Sequence, residues 1–219
     1  MFLSENSDDF ASKDKKTLHQ DLIEDCRTKG IDPSQIELVT DVHRFIDEEI
    51  VNKSKKLDEL LFLLQQTDLL GDIDLMKEVE KFINVDNLDT YINGDAYGES
   101  VVYVPGYYEN PVIAGISTNS ITFDSIHEIS KTEILVRCSV EVELDLDVFI
   151  YHGDLALIDD NMLPYIFDYE WNDHYAAASD SATFKLQLNI VCDNELKEIQ
   201  SIDDQLIAVD YKTGYHFDV

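Results

Sequence analysis

Val140-Glu141-Val142-Glu143-Leu144-Asp145-Leu146-Asp147-Val148-Phe149-Ile150 decides the reading of the chain. Apolar residues fall on every second position from Val140 to Ile150 without a miss. Successive side chains of a strand point to opposite faces, so period two means one buried face and one wet face. The wet face carries Glu141, Glu143, Asp145 and Asp147. Neighbouring carboxylates there are spaced about 6.5–7 Å, two residues of strand rise. That is too far for two of them to share one metal ion unaided. Two readings stay open for these four acids. They form a solvated outer face that also discourages edge pairing, or a surface for a basic partner that imitates a phosphate rail.

Outward from this stretch, Thr132–Tyr151 reads as one long strand. Ser120–Ile129 precedes it as another, and Thr183–Cys192 alternates again through Phe184, Leu186, Leu188 and Ile190. Asp193-Asn194 is a turn signal, and Glu198–Val209 suggests a final strand or two. Ser100–Pro105 is a further strand candidate, followed by an aromatic loop with Tyr107, Tyr108, Asn110 and Pro111. Long strands with short turns favour an antiparallel sheet or a sandwich. Asp168-Tyr169-Glu170-Trp171-Asn172-Asp173-His174-Tyr175 is the densest polar and aromatic cluster and holds the only tryptophan. It suits a recognition patch centred on Trp171, and equally a crossing whose rings pack on the sheet.

The first part of the chain changes period. Leu18, Leu22, Ile23 and Cys26 recur at helical spacing over about 15–29, with Gly30 as a stop and Pro33 beyond it. Ile36–Val39 is a short strand candidate. Thr40 or Asp41 then caps a long helix whose apolar stripe runs from Val42 through Phe45, Ile46, Ile50, Leu57, Leu60 and Leu61 to Leu64. Lys53–Lys56 interrupts that stripe. A further helix is expected over Asp72–Ile83 with Asp72 as its cap, then a short one through Leu88, Tyr91 and Ile92 before the Asn93-Gly94 turn. The expected class is α+β: an N-terminal α/β remnant with helices (1–98), then a mostly antiparallel β-sheet or sandwich domain (99–219).

Charge bounds the partners. The chain has 46 acids against 16 Lys and Arg, a formal net charge of −30. Residues 99–219 carry 23 acids and only 5 bases. Phosphate backbones are held mainly by Lys and Arg, so direct nucleic-acid binding by this chain alone is disfavoured. Basic protein partners, cations or plain solubility are favoured instead. Cys26, Cys138 and Cys192 fit no zinc spacing and read as reduced core residues of a cytoplasmic protein. No secretory leader or membrane span is visible, so no membrane partner is expected. The six histidines show no metal-binding spacing, and no phosphate-cradling glycine loop is present.

The start of the chain carries one family resemblance. Phe2-Leu3-Ser4-Glu5-Asn6-Ser7-Asp8-Asp9-Phe10 is an apolar strand followed by Ser-x-Asn-x-x-Asp-Phe. This resembles the last core strand and acidic loop of PIN-domain ribonucleases. The helix holding Leu18-His19-Gln20-Asp21-Leu22, then Gly30-Ile31, continues the likeness, which extends to bacterial PIN-like proteins with long C-terminal extensions. The resemblance implies hydrolysis of RNA by a cluster of three or four acids holding Mg²⁺ or Mn²⁺, with the metals activating water. Asn6 and Asp9 are the matched catalytic and metal-binding positions, Asn6 being the uncharged version.

One carboxylate and one amide do not make a two-metal site. The resemblance therefore implies the C-terminal part of a toxin- or defence-type nuclease, inactive alone and serving assembly or regulation. Its partner would be a longer form of itself or a basic protein, and RNA would bind only in the complete nuclease. An Asp ahead of a helix is also a common cap, and that reading of Asp9 stays open. The rival from another class is a non-enzymatic acidic binder, an antitoxin, inhibitor or nucleic-acid mimic, acting through Glu141, Glu143, Asp145 and Asp147. A calcium- or magnesium-dependent adhesion-like sandwich is a third reading.

Overall fold

The computed structural model describes residues 11, 18–36, 41–94 and 102–219. The chain packs as two compact units, Met1–Asp58 and Glu59–Val219. The class is α+β, with helices first and a mostly antiparallel sheet after them. The change of composition near residue 98 falls inside the second unit, because the helices just before it pack with the sheet.

In the first unit, helix α1 (Gln20–Thr28) starts where the His19 ring accepts from the Asp21 amide. It stops as expected at Gly30, whose φ of +72° suits a residue without Cβ. The Gly30 amide donates to the Arg27 carbonyl and the Ile31 amide to that of Cys26, the paired bonds of a Schellman stop. Asp32 and Pro33 then open a single 3₁₀ turn, Pro33–Gln35. Ile36 has no strand structure, and the rest of the candidate strand at 36–39 lies outside the described residues.

Asp41 caps the next helical stretch by accepting from the Arg44 amide at 2.9 Å. This stretch runs as α2 (Val42–Phe45), a π-helical turn (Ile46–Val51) and α3 (Asn52–Thr67). The Lys53–Lys56 interruption does not break it; the irregular turn comes earlier. The apolar stripe is fully buried only at Leu64, while Ile46 and Ile50 are exposed.

In the second unit a two-residue hairpin, β1 (Leu69–Leu70) and β2 (Ile73–Asp74), follows α3. The cap of α4 (Leu75–Phe82) is therefore Asp74, which accepts from the Lys77 amide, and not Asp72. Asp72 is drawn into the hairpin turn, where its amide donates to the Leu196 carbonyl. Asn84 caps α5 (Val85–Asn93). Leu75, Val79, Ile83, Leu88 and Ile92 are buried, which is the apolar face these two helices turn inward.

The rest is one six-stranded antiparallel sheet, not a sandwich. Its strands are β3 (Glu109–Glu128), β4 (Glu133–Tyr151), β5 (Tyr165–Asp168), β6 (Tyr175–Asp193), β7 (Ile199–Tyr211) and β8 (His216–Asp218), with a short helix α6 (His152–Leu155) after β4. The order is β3-β4-β6-β7-β8, with β5 pairing the first part of the β6 edge. No strand forms over 102–105; there the Tyr103 amide donates to the Tyr91 carbonyl at the end of α5.

The core is the inner face of this sheet. Val140, Val142, Leu144, Leu146, Val148 and Ile150 of β4 are all buried. They stand directly opposite Leu186, Phe184, Ala182, Asp180, Ala178 and Ala176 of β6. Helix α5 packs against β3 on the unit's interior, and Tyr91 sets its ring edge-on to Phe184. The Tyr91 hydroxyl donates to Asp204 at 2.8 Å.

Candidate functional site

The outer face of the sheet carries the residues that the sequence nominated for partner binding. Glu141, Glu143, Asp145 and Asp147 alternate with the buried row of β4, and Asp145 and Asp147 are exposed. Register sets what flanks this stripe. On β3 the opposed residues are Ser120, Ser117 and Gly115, facing Glu141, Glu143 and Asp145. On β6 they are Thr183, Ser181 and Ser179, facing Glu143, Asp145 and Asp147. Small side chains thus flank Glu143 and Asp145 on both sides, whereas Lys185 stands opposite Glu141 and the exposed Val112 opposite Asp147. A Cβ on Gly115 would come within 3.0 Å of an Asp145 carboxylate oxygen, so the glycine keeps that acid's space open.

Few cations relieve the stripe. Lys185, opposite Glu141, is engaged by Asp210 at 2.8 Å. That hydrogen bond holds the Lys185 ammonium above its ordinary pKa and the Asp210 carboxyl below its own. Lys212 reaches Glu143 at 3.5 Å and donates to the Ser181 hydroxyl. The Ser181 hydroxyl in turn donates to Asp145 at 3.1 Å. Among the described residues no hydrogen bond or ion pair engages Asp147.

Trp171 joins the same face. Its loop is shaped by Asp168, which accepts from the Glu170 amide, and by Asn172, which accepts from the amides of His174 and Tyr175. These local bonds replace ladder pairing and turn the indole back onto Phe149, with ring centroids 5.5 Å apart. Phe149 lies two residues beyond Asp147 on the outer face of β4, opposite Ala177. Tyr165, opposite Ser179, and the touching pair Tyr151 and Tyr175 extend the aromatic surface. The nominated acids and Trp171 thus share one face, with Phe149 as a link that its place in the β4 stretch alone does not reveal.

A polar notch adjoins this face where the β6 edge passes from β5 to β7. It encloses about 440 Å³ and is lined in part by Asp145, Ser179, Ser181 and Lys212. Its floor is Asp180, a buried acid within the otherwise apolar inner row. Asp180 accepts from the Tyr108 hydroxyl at 2.6 Å, from the Thr213 hydroxyl at 3.0 Å, and from the Ser181 amide. Burial, then the bond to Asp180, pushes the Tyr108 phenol well above its ordinary pKa, so it stays a donor. The break in the pattern Ala176, Ala178, Asp180, Ala182 is the signal of this network, and it lies just ahead of the strand expected over Thr183–Cys192.

The catalytic and metal positions inferred by resemblance, Asn6 and Asp9, lie outside the described residues. Among the described residues no group of three or more His, Cys, Asp or Glu side chains is placed to hold one metal ion. The outer-face acids stand apart along the strand, so they are no ready substitute for such a group. Cys138 and Cys192 are buried and free, and burial pushes their thiols up to about 12 and about 11. Such thiols are poor nucleophiles at neutral pH. No described helix is long and apolar enough to cross a membrane. No known family, curated protein or solved structure matches the chain.

Proposed function

We propose that this chain serves assembly or regulation within a PIN-like, metal-dependent ribonuclease of the toxin or defence kind, by binding a basic protein partner on the outer face of its sheet. The observation that carries the binding part is the sharing of one open face by Glu141, Glu143, Asp145, Asp147 and the Phe149–Trp171 pair. Acids outnumber cations heavily in this half of the chain, so the face repels RNA and attracts cationic surfaces. The nuclease part is supported by the Ser4-x-Asn6-x-x-Asp9-Phe10 motif. On that reading Asp9 and Asn6 face Mg²⁺ or Mn²⁺, and further carboxylates come from elsewhere in the assembled enzyme. The cytoplasm, where RNA and basic RNA-binding proteins meet, is the setting this function requires.

A second reading is favoured by the regular spacing of the stripe. Carboxylates every about 6.5–7 Å along β4 approximate a rail of phosphates, as an antitoxin, inhibitor or nucleic-acid mimic would present.

One experiment separates the two. RNA cleavage is measured in Mg²⁺ and in Mn²⁺ for the chain alone and for its complex with the protein it captures, with Asp9→Ala as control. Cleavage by the complex that Asp9→Ala abolishes supports the nuclease assembly. A stable, salt-sensitive complex that cleaves nothing supports the acidic binder. Cleavage by the chain alone would overturn both.

A further inference from the structure

We infer that the Phe149–Trp171 pair, with Asp147 beside it, is an arginine-binding subsite for an extended segment of the basic partner. This rests on the reading of the outer face as that partner's docking site. The starting observation is an aromatic surface left in water. Trp171 is 53% exposed although its ring packs on Phe149, and Tyr165 is 73% exposed although it belongs to β5. Exposed aromatic patches of this kind mark interaction surfaces, and Trp and Tyr are the residues that dominate such contacts.

The occupant follows from chemistry. Phe149 and Trp171 offer ring faces inclined by 34°, and Asp147 stands one strand repeat away with no hydrogen bond or ion pair among the described residues. A guanidinium stacks flat on an aromatic face and presents a fork of donors to a carboxylate at its edge. An ammonium does the second of these only as a point charge. A phosphate or an acidic segment is excluded by the flanking stripe. A second copy of the chain is disfavoured as well, since each copy carries −30 and only three arginines, Arg27, Arg44 and Arg137.

The spacing of the stripe sets the partner's conformation. Same-side residues of an extended chain repeat at about 6.5–7 Å, the spacing of Glu141, Glu143, Asp145 and Asp147. A segment with arginine at alternate positions lies along β4 in register, and its end residue meets Phe149 and Trp171.

Trp171 is the only tryptophan, so its fluorescence reports this site directly. Titration uses a nine-residue peptide alternating Arg and Ser, and its Lys–Ser counterpart, at low and at physiological salt. The expected result is binding of both, with the Arg peptide tighter by about three- to tenfold and alone shifting the Trp171 emission. Trp171→Ala, followed by calorimetry, weakens the Arg peptide more than the Lys peptide and so removes the preference for Arg. Asp147→Asn, at an exposed position that leaves the fold intact, also reduces the preference. Equal affinities with unchanged emission overturn the arginine subsite while sparing the acidic face. No binding of either peptide overturns both.

Discussion

Trp171 and Phe149 lie with ring centroids 5.5 Å apart, which seats the indole on the outer face of β4, while His152 holds the same loop through the Tyr169 carbonyl and ring and through the His174 carbonyl. Because half of the indole surface remains in water, the contact contributes little to global stability. Trp171→Ala is expected to change the midpoint of urea unfolding by less than about 1 kcal/mol equivalent. Proteolysis of the 168–175 loop, read by mass spectrometry, is expected to accelerate in the same variant.

Leu144 provides the contrast, one residue from the exposed Asp145. It is fully buried opposite Ala182. Leu144→Ala is expected to cost about 2–5 kcal/mol in denaturant unfolding, while Asp145→Asn stays within about 0.5 kcal/mol. Equal effects of the two would mean that the faces of β4 have been assigned the wrong way round.

His216 sets the pH dependence of the last strand. Its two ring nitrogens contact Asp210 at 2.5 Å and Asp218 at 2.8 Å. Two carboxylates on one imidazole require both nitrogens to donate, which is the charged form. The bonds to Asp210 and then Asp218 accordingly raise the His216 pKa. A raised folded pKa gives stability that is full below the unfolded value of about 6.5 and is lost as pH climbs through the folded value. Asp210, lowered by Lys185 and then His216, acts in the opposite sense. Its share is present above the unfolded value of about 3.9 and is lost as pH falls through the lowered one. The protection of the Val219 amide, whose N–H donates to Ile207, relative to its intrinsic exchange rate at each pH is expected to be greatest between these limits and to fall above neutrality. His216→Gln is expected to flatten the upper limb.

Tyr108→Phe tests the buried carboxylate of the notch. Asp180 loses its 2.6 Å phenolic donor and keeps Thr213 and the Ser181 amide. The expected cost is about 1–3 kcal/mol, seen as a lowered thermal midpoint. Asp180→Asn in the Tyr108→Phe background is expected to recover part of it, because a neutral amide is less costly to leave short of a donor.

Gly71 tests the tie between the β1–β2 hairpin and the turn after β6. Its φ is +61°, and an added Cβ would sit 2.5 Å from Leu196 Cβ and 2.7 Å from its carbonyl oxygen. Leu196 itself holds a φ of +58°, so it has little freedom to retreat. Gly71→Ala is expected to destabilise by about 2 kcal/mol or more in thermal unfolding.

The sequence by itself determined those features that depend on neighbours along the chain. Alternation from Val140 to Ile150 placed β4 to within a residue, because the two faces of a strand are written in adjacent positions. Gly30 and the Thr40-Asp41 pair marked helix ends, because caps are satisfied by amides only a few residues away. Tertiary structure alone decided the rest. The short hairpin at Leu69–Asp74 took Asp72 out of the role of a cap and gave it to Asp74, since the Leu196 carbonyl lies far along the chain. One sheet formed instead of a sandwich, because β6 pairs β4 along its whole length on one edge and both β5 and β7 on the other. The same pairing put Ser, Thr and Gly beside the β4 acids and brought Trp171 onto Phe149. Local propensity does not encode such partners; each depends on which distant strand lies alongside and in what register.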